Sequence, residues 1–468
     1  MTTHEISAAS NTAEIGIAPI TPAAAPPSVL ADEDQPAVSP VRLEERISAL
    51  DTIRGFGLLG ILSMNICSFG LPGPAYDSPA PAGGATGVNL VTWCLTTIFA
   101  DGKMRAIFSM AFGASVYLLV DRLSRRGAAA DAADIHYRRM LWLLLFGVIH
   151  AYLIWDGDIL FYYAVMGLVL YPLRKLSARI LLITAGIMVL TMVGNGVRDH
   201  FHLKSLQREY SQIQADEKAG KKLTSAQEEE KKEWEDALKI YYPPPEDLKE
   251  DTDAHLGGYF KLVAFRAKHV YELHSHPIYM PWWFDVLAMM LIGMALLKLG
   301  VLTGSYSTKF YVWMALLSFA IGLPVDTWSA WSAAKGHFSM DSWVPNITTY
   351  EIGRFTALGY IAVILLVIKS GVLQSATRTL ACVGRMAFSN YILTSLICTT
   401  IFNGYGFGLF GKLQRHQLYG TVVLVWIVIL VVSPIWLRHF RFGPLEWAWR
   451  SLTYWKKQSF RIHDRALA

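Results

Sequence analysis

Long apolar segments recur along the chain and constrain its fold more than any other feature of the sequence. A helix that crosses about 30 Å of hydrocarbon needs roughly 20 mostly apolar residues. Lipid offers no hydrogen bonds to the backbone, so such segments must be helical. The sequence therefore predicts an all-α, polytopic membrane helix bundle with about ten transmembrane helices. The segments cover about 52–71, 104–120, 139–156, 158–173, 178–197, 281–299, 309–328, 347–368, 379–402 and 417–437.

The composition agrees with a bilayer as the solvent. Hydrophobic residues make up 53% of the chain and charged residues only 17%, against about 25% in an average soluble protein. The net charge of +5 is small for 468 residues, and no nucleic-acid partner is predicted. Four cysteines lie in apolar stretches without a CxxC pair, which is typical of core residues and not of a disulfide frame or metal site. They are Cys67, Cys94, Cys382 and Cys398.

The basic residues predict the orientation of the bundle. Counted over ten spans, the loops and termini on one side hold most of the arginines and lysines, as cytoplasmic loops do. Both termini are then cytoplasmic. If an eleventh apolar stretch, 88–100, crossed the membrane, every later loop would change sides and the charge asymmetry would be reversed. We therefore expect this stretch to be an interfacial or re-entrant helix on the outer side. The basic residues assigned to the cytoplasm include Arg42, Arg46, Arg122, Arg125, Arg126, Arg138, Arg139, Arg174, Lys175, Arg179, Lys369, Arg378, Arg438 and Arg441.

The same reasoning divides the chain into five parts. Residues 1–45, rich in Ala, Pro, Thr and Ser, are expected to be a disordered cytoplasmic tail. A first transmembrane bundle covers 46–198 and a second covers 281–440, and 441–468 form a basic cytoplasmic tail. Between the bundles, 199–280 is polar and rich in Lys and Glu, which predicts an extracytoplasmic insertion containing one or two solvated helices.

Polar and ionisable groups inside the spans are the candidate functional residues, because each costs free energy at membrane depth unless it is paired or hydrated. Their inferred depths divide these residues into an outer group and a cytoplasmic group. The outer group has mixed charge, which a water-filled pocket open to the outside would explain. The outer group contains Asp101, Lys103, Arg105, Asp156, Asp158, Asp285, Glu351 and Arg354, with Asn65 and His150 deeper. The cytoplasmic group contains Asp51, Arg54 and Arg385, and Asn390 lies near mid-membrane.

Several of these residues also have purely structural interpretations. Asp51 with Arg54 is an i, i+3 pair at a helix N-terminus, and Glu351 with Arg354 has the same spacing. Asp158 can serve as the N-cap of the helix that follows it.

Two deeper polar residues have structural interpretations of their own. His150 can donate to a neighbouring helix, and Asn65 can hold two helices together. The histidines of HVYELHSH lack the spacing of a zinc motif, so no metal ligand is predicted.

Several long motifs resemble one bacterial family. LDTIRGFGLLGILSMNI, FADGKMRAIFSMAFGAS and GRMAFSNYILTSLICTTIFNGYGFGLFG resemble the YeiB-like membrane proteins, whose shared region is called domain of unknown function 418. The resemblance covers about residues 46 to 455, apart from much of the charged insertion. It implies a multi-pass protein of the bacterial cytoplasmic (inner) membrane.

The family in turn is distantly similar to acyltransferase-3 proteins and heparan-glucosaminide N-acetyltransferases, which move acyl groups, commonly from acyl-CoA. The shared feature is the first-helix pattern LDxxRG, here Leu50, Asp51, Arg54 and Gly55. Where acyltransferase-3 proteins carry a histidine in the first helix, Asn65 stands here. An amide cannot act as a general base, so either His150 has that role or acyl transfer is absent.

Three functions follow as hypotheses. In the first, Asp51, Arg54 and Arg385 bind a cytoplasmic acyl-CoA as co-substrate, and His150, oriented by Asp156 or Asp158, takes the proton of an outer acceptor. Lys103 or Arg105 then steadies the developing charge, and the remaining polar residues bind substrate. They are Asn65, Asp285, Glu351, Arg354 and Asn390. The alternatives are a small-solute permease or exporter, and a sensor or scaffold. No permanently bound cofactor is predicted, and the partners are the bilayer and an unidentified small molecule.

Overall fold

Helices make up most of the structure, a computed structural model that describes residues 48–275, 280–339, 342 and 349–462. The predicted tail 1–45, residues 463–468 and the first residues of the segment 347–368 lie outside the described residues. The helices are α1 (Ser48–Gly70), α2 (Gly87–Phe99), α3 (Lys103–Arg125), α4 (Ala132–Ile149), α5 (Leu160–Leu173), α6 (Ala178–Lys218), α7 (Ser225–Tyr241), α8 (Pro245–His255), α9 (Tyr259–Ser275), α10 (Met280–Lys298), α11 (Thr308–Lys335), α12 (Thr356–Ser370), α13 (Gln374–Arg385), α14 (Ala387–Phe402), α15 (Arg415–His439) and α16 (Pro444–Tyr454).

The apolar helices confirm an all-α membrane bundle. Among the described residues, seven helices are long and apolar enough to cross a membrane, or eight if α13 and α14 form one bent span. These coincide with eight of the ten predicted segments. The other two correspond to α5, with 14 residues, and α10, with 19, so the count of ten stays a prediction. Residues 88–100 fall inside Gly87–Arg125, which counts as one candidate span, and add no separate crossing.

The outer faces of these helices are apolar. On α6, Ile183, Ile187 and Leu190 are 53%, 60% and 71% exposed. Such a continuous apolar surface is unfavourable in water, whereas lipid tails accept it. The polar side chains that the sequence singled out are instead mostly buried between helices.

Helix α1 lies at the centre of the bundle and packs against α3, α13, α14 and α15. Glycine permits the closest of these contacts. A Cβ at Gly55 would collide with the carbonyl oxygen of Leu380, and one at Gly384 would collide with that of Asp51. The Gly55 of LDTIRG is therefore explained by backbone approach between α1 and α13.

Helices α13 and α14 meet at a bend of 82°. Glu446 of α16 stabilises the N-terminus of α14, because its Oε1 accepts hydrogen bonds from the backbone N–H groups of Phe388 (2.7 Å) and Ser389 (3.1 Å). A carboxylate at this position satisfies donors that the helix cannot pair internally and favours the helix dipole.

The polar insertion is helical and packs against the bundle. Helix α6 continues without a break across residue 198, and α7 packs on its distal part around the buried Leu206 and Trp234. Helices α8 and α9 lie against the ends of apolar helices. The N–H of Gly404 donates to the carbonyl of His255 at 2.8 Å, and the hydroxyl of Tyr259 donates to the carbonyl of Leu153 at 3.0 Å.

Candidate functional site

His150 lies where α4 changes its winding. Residues His150–Ile154 form a π-helical turn, closed by a hydrogen bond from the N–H of Trp155 to the carbonyl of His150 at 2.8 Å. Single π-helical turns occur often at functional sites because they re-aim side chains. The imidazole of His150 is buried, with 1% of the residue exposed.

Asp158 holds one side of this imidazole. Its Oδ1 lies 2.8 Å from Nδ1 of His150, and its Oδ2 accepts the N–H of Phe161 at 2.7 Å. The helix begins at Leu160 with Ile159 as its N-cap, so Asp158 precedes the N-cap position and does not occupy it as predicted. It nevertheless accepts from the first turn of α5 and contacts His150 as well. The carboxylate favours the tautomer with the proton on Nδ1, which leaves Nε2 as an acceptor.

Ser395 contacts the other side of the imidazole. Its Oγ lies 2.9 Å from Nε2 of His150, and 1% of the residue is exposed. Serine, histidine and carboxylate are therefore connected in the order found in hydrolytic triads. Ser395 was not among the predicted residues, because it lies 245 positions from His150 in an ordinary apolar helix.

Two cavities lie beside this chain of hydrogen bonds. The first, which we call the polar cavity, has a volume of about 90 Å³, and its lining includes Asn65, Asp101, Arg105, Asp158 and Tyr350. The second, the apolar slot, has a volume of about 10 Å³, room for one water-sized group. It is lined by Leu58, Ile61, Leu62, Asn65, Phe69, Trp155, Tyr391, Thr394 and Ser395. Both cavities include Ile61 and Asn65 in their linings.

A buried network of charges borders the polar cavity. Arg105 of α3 pairs with Asp285 of α10 at 2.7 Å and donates to the hydroxyl of Tyr350 at 3.0 Å. Arg354 also pairs with Asp285, and with Glu351 at 2.8 Å. Glu351 and Arg354 thus form more than an isolated pair, because Asp285 links them to Arg105. Opposite charges within hydrogen-bonding distance compensate one another where water is scarce.

Lys103 does not join this network. Its Nζ pairs with Asp326 of α11 at 3.0 Å and donates to the carbonyl of Thr97 at 2.7 Å. It is not among the residues that line either cavity. Its partner Asp326 was not among the predicted residues. Lys103 therefore connects α3 to α11 and does not face the candidate site.

Asp156 and Asn390 also lie apart from the imidazole. Asp156 lies 3.9 Å from the half-exposed His269 of α9, so Asp158 is the carboxylate that contacts His150. The Nδ2 of Asn390 donates to the carbonyl of Val383 at 3.2 Å and to the hydroxyl of Ser433 at 2.9 Å. Asn390 thus joins α14 to α13 and α15.

On the predicted cytoplasmic side, Arg54 makes three interactions. It pairs with Asp51 at 2.7 Å and donates to the hydroxyl of Ser115 at 2.6 Å and to the carbonyl of Gly384 at 3.3 Å. Its side chain remains 19% exposed. Arg385 points elsewhere and donates to the carbonyl of Arg441 at 3.5 Å. Within the described residues, no three His, Cys, Asp or Glu side chains are placed to hold a metal ion.

Comparison with known proteins identifies the family. Residues 296–456 match the family described as "Protein of unknown function (DUF418)". The chain is 32% identical over 426 residues to "Uncharacterized protein YeiB" of Escherichia coli (strain K12), covering 87% of this chain and 96% of that protein. The chain belongs to the DUF418 family.

Another member is similar over a comparable length. "Uncharacterized protein YxaH" of Bacillus subtilis (strain 168) is 28% identical over 448 residues, covering 89% of this chain and 96% of that protein. No solved structure matches. The resemblance to YeiB-like proteins is confirmed, and since neither name states an activity, the function must be argued from the site.

The matched DUF418 region holds only part of that site. It contains Ser395 and Arg354, whereas His150 and Asp158 precede it. The buried chain of hydrogen bonds therefore joins the DUF418 region to the N-terminal half of the protein. Asn65, which lines both cavities, also belongs to the N-terminal half.

Proposed function

We propose that the protein is a membrane-embedded acyltransferase that moves an acyl group from a cytoplasmic acyl-CoA to an acceptor on the outer side. The observation that carries the proposal is the His150–Asp158 pair, buried beside two cavities that share Asn65. An imidazole with its Nδ1 held by a carboxylate can take a proton at Nε2 and return it later. Acyl transfer to a hydroxyl or amine needs such a group.

Helix α1 connects a candidate donor-binding arginine to the apolar slot. Arg54, partly exposed, lies at the predicted cytoplasmic end, and its guanidinium suits the anionic pyrophosphate of CoA. Leu58, Ile61 and Leu62 on the following turns line the apolar slot. From Arg54 to Asn65 the helix rises by about 16 Å, so a thioester reaching Asn65 would arrive beside His150.

The polar cavity suits the acceptor. It holds hydrogen-bonding groups from Asn65, Asp101, Tyr350 and Arg105, and Asp158 connects its wall to His150. In this mechanism His150 removes the acceptor proton, and Arg105 and Asn65 in the cavity lining stabilise the developing negative charge. The buried network of charges that borders the polar cavity holds Arg105 in place through its pair with Asp285.

Transport of a small solute is the alternative, and one observation favours it. Broken helices often mark substrate sites in transporters, where free N-termini bind anions, and α13 and α14 meet at 82°. However, Glu446 already accepts from the first N–H groups of α14. This helix end is therefore occupied by the protein's own carboxylate and is not free to bind an anionic solute. A sensor or scaffold role for the insertion has no comparable observation in its favour.

Binding of acetyl-CoA to the purified protein, measured by calorimetry in detergent, tests the proposal. We expect saturable binding by the wild type and unchanged binding by His150→Ala, because the imidazole acts on the acceptor. Arg54→Gln should weaken binding about 10–100-fold, since a hydrogen bond to a charged group contributes roughly 1.5–3 kcal/mol.

Two controls separate lost recognition from lost folding. Arg54→Gln removes the ion pair with Asp51, so it is also combined with Asp51→Asn. Arg179→Ala removes an exposed arginine of α6 and should bind like the wild type. Absence of saturable binding by the wild type would remove the donor from the proposal, and solute uptake by vesicles would then be measured.

A further inference from the structure

The hydroxyl of Ser395 is placed as a nucleophile would be. Because Asp158 accepts a hydrogen bond from Nδ1–H of His150, Nε2 is free to accept the O–H of Ser395 at 2.9 Å. A serine within a helix often donates to the carbonyl four residues earlier. Here the hydroxyl is also within hydrogen-bonding distance of that carbonyl, of Tyr391, but at the longer distance of 3.3 Å. The histidine is thus the closer partner, as an activated nucleophile requires.

The surroundings of Ser395 fit an acyl group. Its neighbours in the apolar slot include Leu58, Leu62 and Phe69, and Asn65 lines the same slot. A thioester carbonyl at the slot can receive a hydrogen bond from the amide of Asn65. The slot volume of about 10 Å³ leaves no room for a long acyl chain, which favours acetyl.

We infer that Ser395 carries the acyl group as an ester between donor and acceptor, so that transfer proceeds in two covalent steps. The inference rests on the proposed acyl transfer and adds an intermediate to it. It also assigns each cavity a substrate: the apolar slot takes the acyl end of the donor, and the polar cavity takes the acceptor.

Each step balances without a further reagent. In the first, Oγ of Ser395 attacks the thioester carbonyl carbon while Nε2 of His150 takes the hydroxyl proton. The carbon–sulfur bond breaks, and the CoA thiolate leaves with that proton. In the second, the acceptor gives its proton to Nε2 and attacks the ester carbonyl carbon. The carbon–oxygen bond to Ser395 breaks, and Oγ recovers the proton from His150.

Acylation of the full-length protein is measured with radiolabelled acetyl-CoA in the absence of acceptor. We expect label that survives denaturation, is released by alkaline hydroxylamine and maps by peptide mass spectrometry to Ser395. Ser395→Ala should lose the label and about a thousandfold or more of any transfer rate, while still binding acetyl-CoA. Thr400→Ala, on the same helix with an exposed hydroxyl, should be labelled like the wild type.

A second measurement detects an intermediate too short-lived to isolate. If Ser395 is acylated reversibly, the wild type exchanges radiolabelled CoA into unlabelled acetyl-CoA without acceptor, and Ser395→Ala does not. The covalent step alone would be overturned by either of two results. The first is a wild type that binds acetyl-CoA and transfers the acetyl group but shows neither label nor exchange. The second is normal transfer by Ser395→Ala. Absence of acetyl-CoA binding would overturn the proposed function and the intermediate together.

Discussion

Single glycines set the distance between the helices that carry the candidate site. Gly384 lets α13 approach the Asp51 carbonyl of α1, and in that position the carbonyl of Gly384 accepts from Arg54 at 3.3 Å. The same residue thus allows the close packing and supplies a contact to the proposed donor-binding arginine. Packing and binding should therefore change together when it is replaced.

Gly384→Ala should destabilise the protein by about 1–3 kcal/mol, the usual cost of overpacking, because its Cβ collides with backbone and not with a flexible side chain. We expect a lower thermal midpoint in detergent and weaker acetyl-CoA binding. Gly186→Ala is the matched control, since nothing lies within 4 Å of a Cβ there and alanine favours a helix. Equal midpoints for the two variants would contradict this account of the α1–α13 contact.

The candidate site shows which residue pairs a sequence can indicate. His150 and Asp158 are eight positions apart, so a short connection between two helices made their meeting a reasonable hypothesis. Ser395 comes from a helix whose packing partner no local pattern specifies. Asp326, the partner of Lys103, was missed for the same reason. Membrane depth can be inferred from sequence, whereas contacts between distant helices depend on packing.

At the scale of elements, the apolar segments predicted the presence of the helices better than the residues at which the helices begin and end. Eight predicted segments coincide with membrane-crossing candidates, because hydrocarbon imposes the helix wherever an apolar run is long enough. Helix α6 nevertheless continues to Lys218, past the end of its apolar run. A helix that leaves the membrane keeps its hydrogen bonds, so polarity alone does not mark its end.

Helix α8 lies outside the membrane spans and contains a titratable His255 at its contact with the bundle. The ring of His255 stacks on Phe410 with centroids 4.0 Å apart, and its Nδ1 pairs with Asp251 at 2.9 Å. Burial lowers the pKa of His255, but the hydrogen bond and charge of Asp251, with the charge of Asp156, raise it more, so the pKa lies above the ordinary 6.5. The protonated imidazole thus stabilises α8 through its i, i+4 pair with Asp251.

A folded-state pKa above the unfolded value gives stability that is complete below about pH 6.5 and is lost as the pH rises through the folded pKa. We therefore expect α8 to exchange its amide hydrogens faster at about pH 8.5 than at about pH 5.5, after correction for intrinsic exchange. His255→Gln should remove this difference. A pH response of equal size in that variant would show that another group causes it.

At the scale of the molecule, the proposed reaction depends on two sides of one membrane. Arg54 and the polar cavity are linked by α1, and the excess of arginine and lysine in alternate loops predicts that Arg54 faces the cytoplasm. Arg54 can bind cytoplasmic acyl-CoA only if that orientation is correct. The same orientation places the insertion, with α7, α8 and α9, on the outer side, where it covers the ends of the helices that carry His150.

Labelling of single cysteines in intact cells tests this orientation. Glu229→Cys in α7 and Lys457→Cys beyond α16 both occupy exposed positions, in a variant whose four native cysteines are replaced by alanine. A membrane-impermeant maleimide should label position 229 in intact cells and position 457 only after permeabilisation, because the bilayer separates them. The reverse pattern would place Arg54 outside, away from cytoplasmic acyl-CoA, and would remove the donor path along α1. Labelling of both positions in intact cells would contradict cytoplasmic placement of the C-terminus, and with it the alternation of basic loops from which the orientation was inferred.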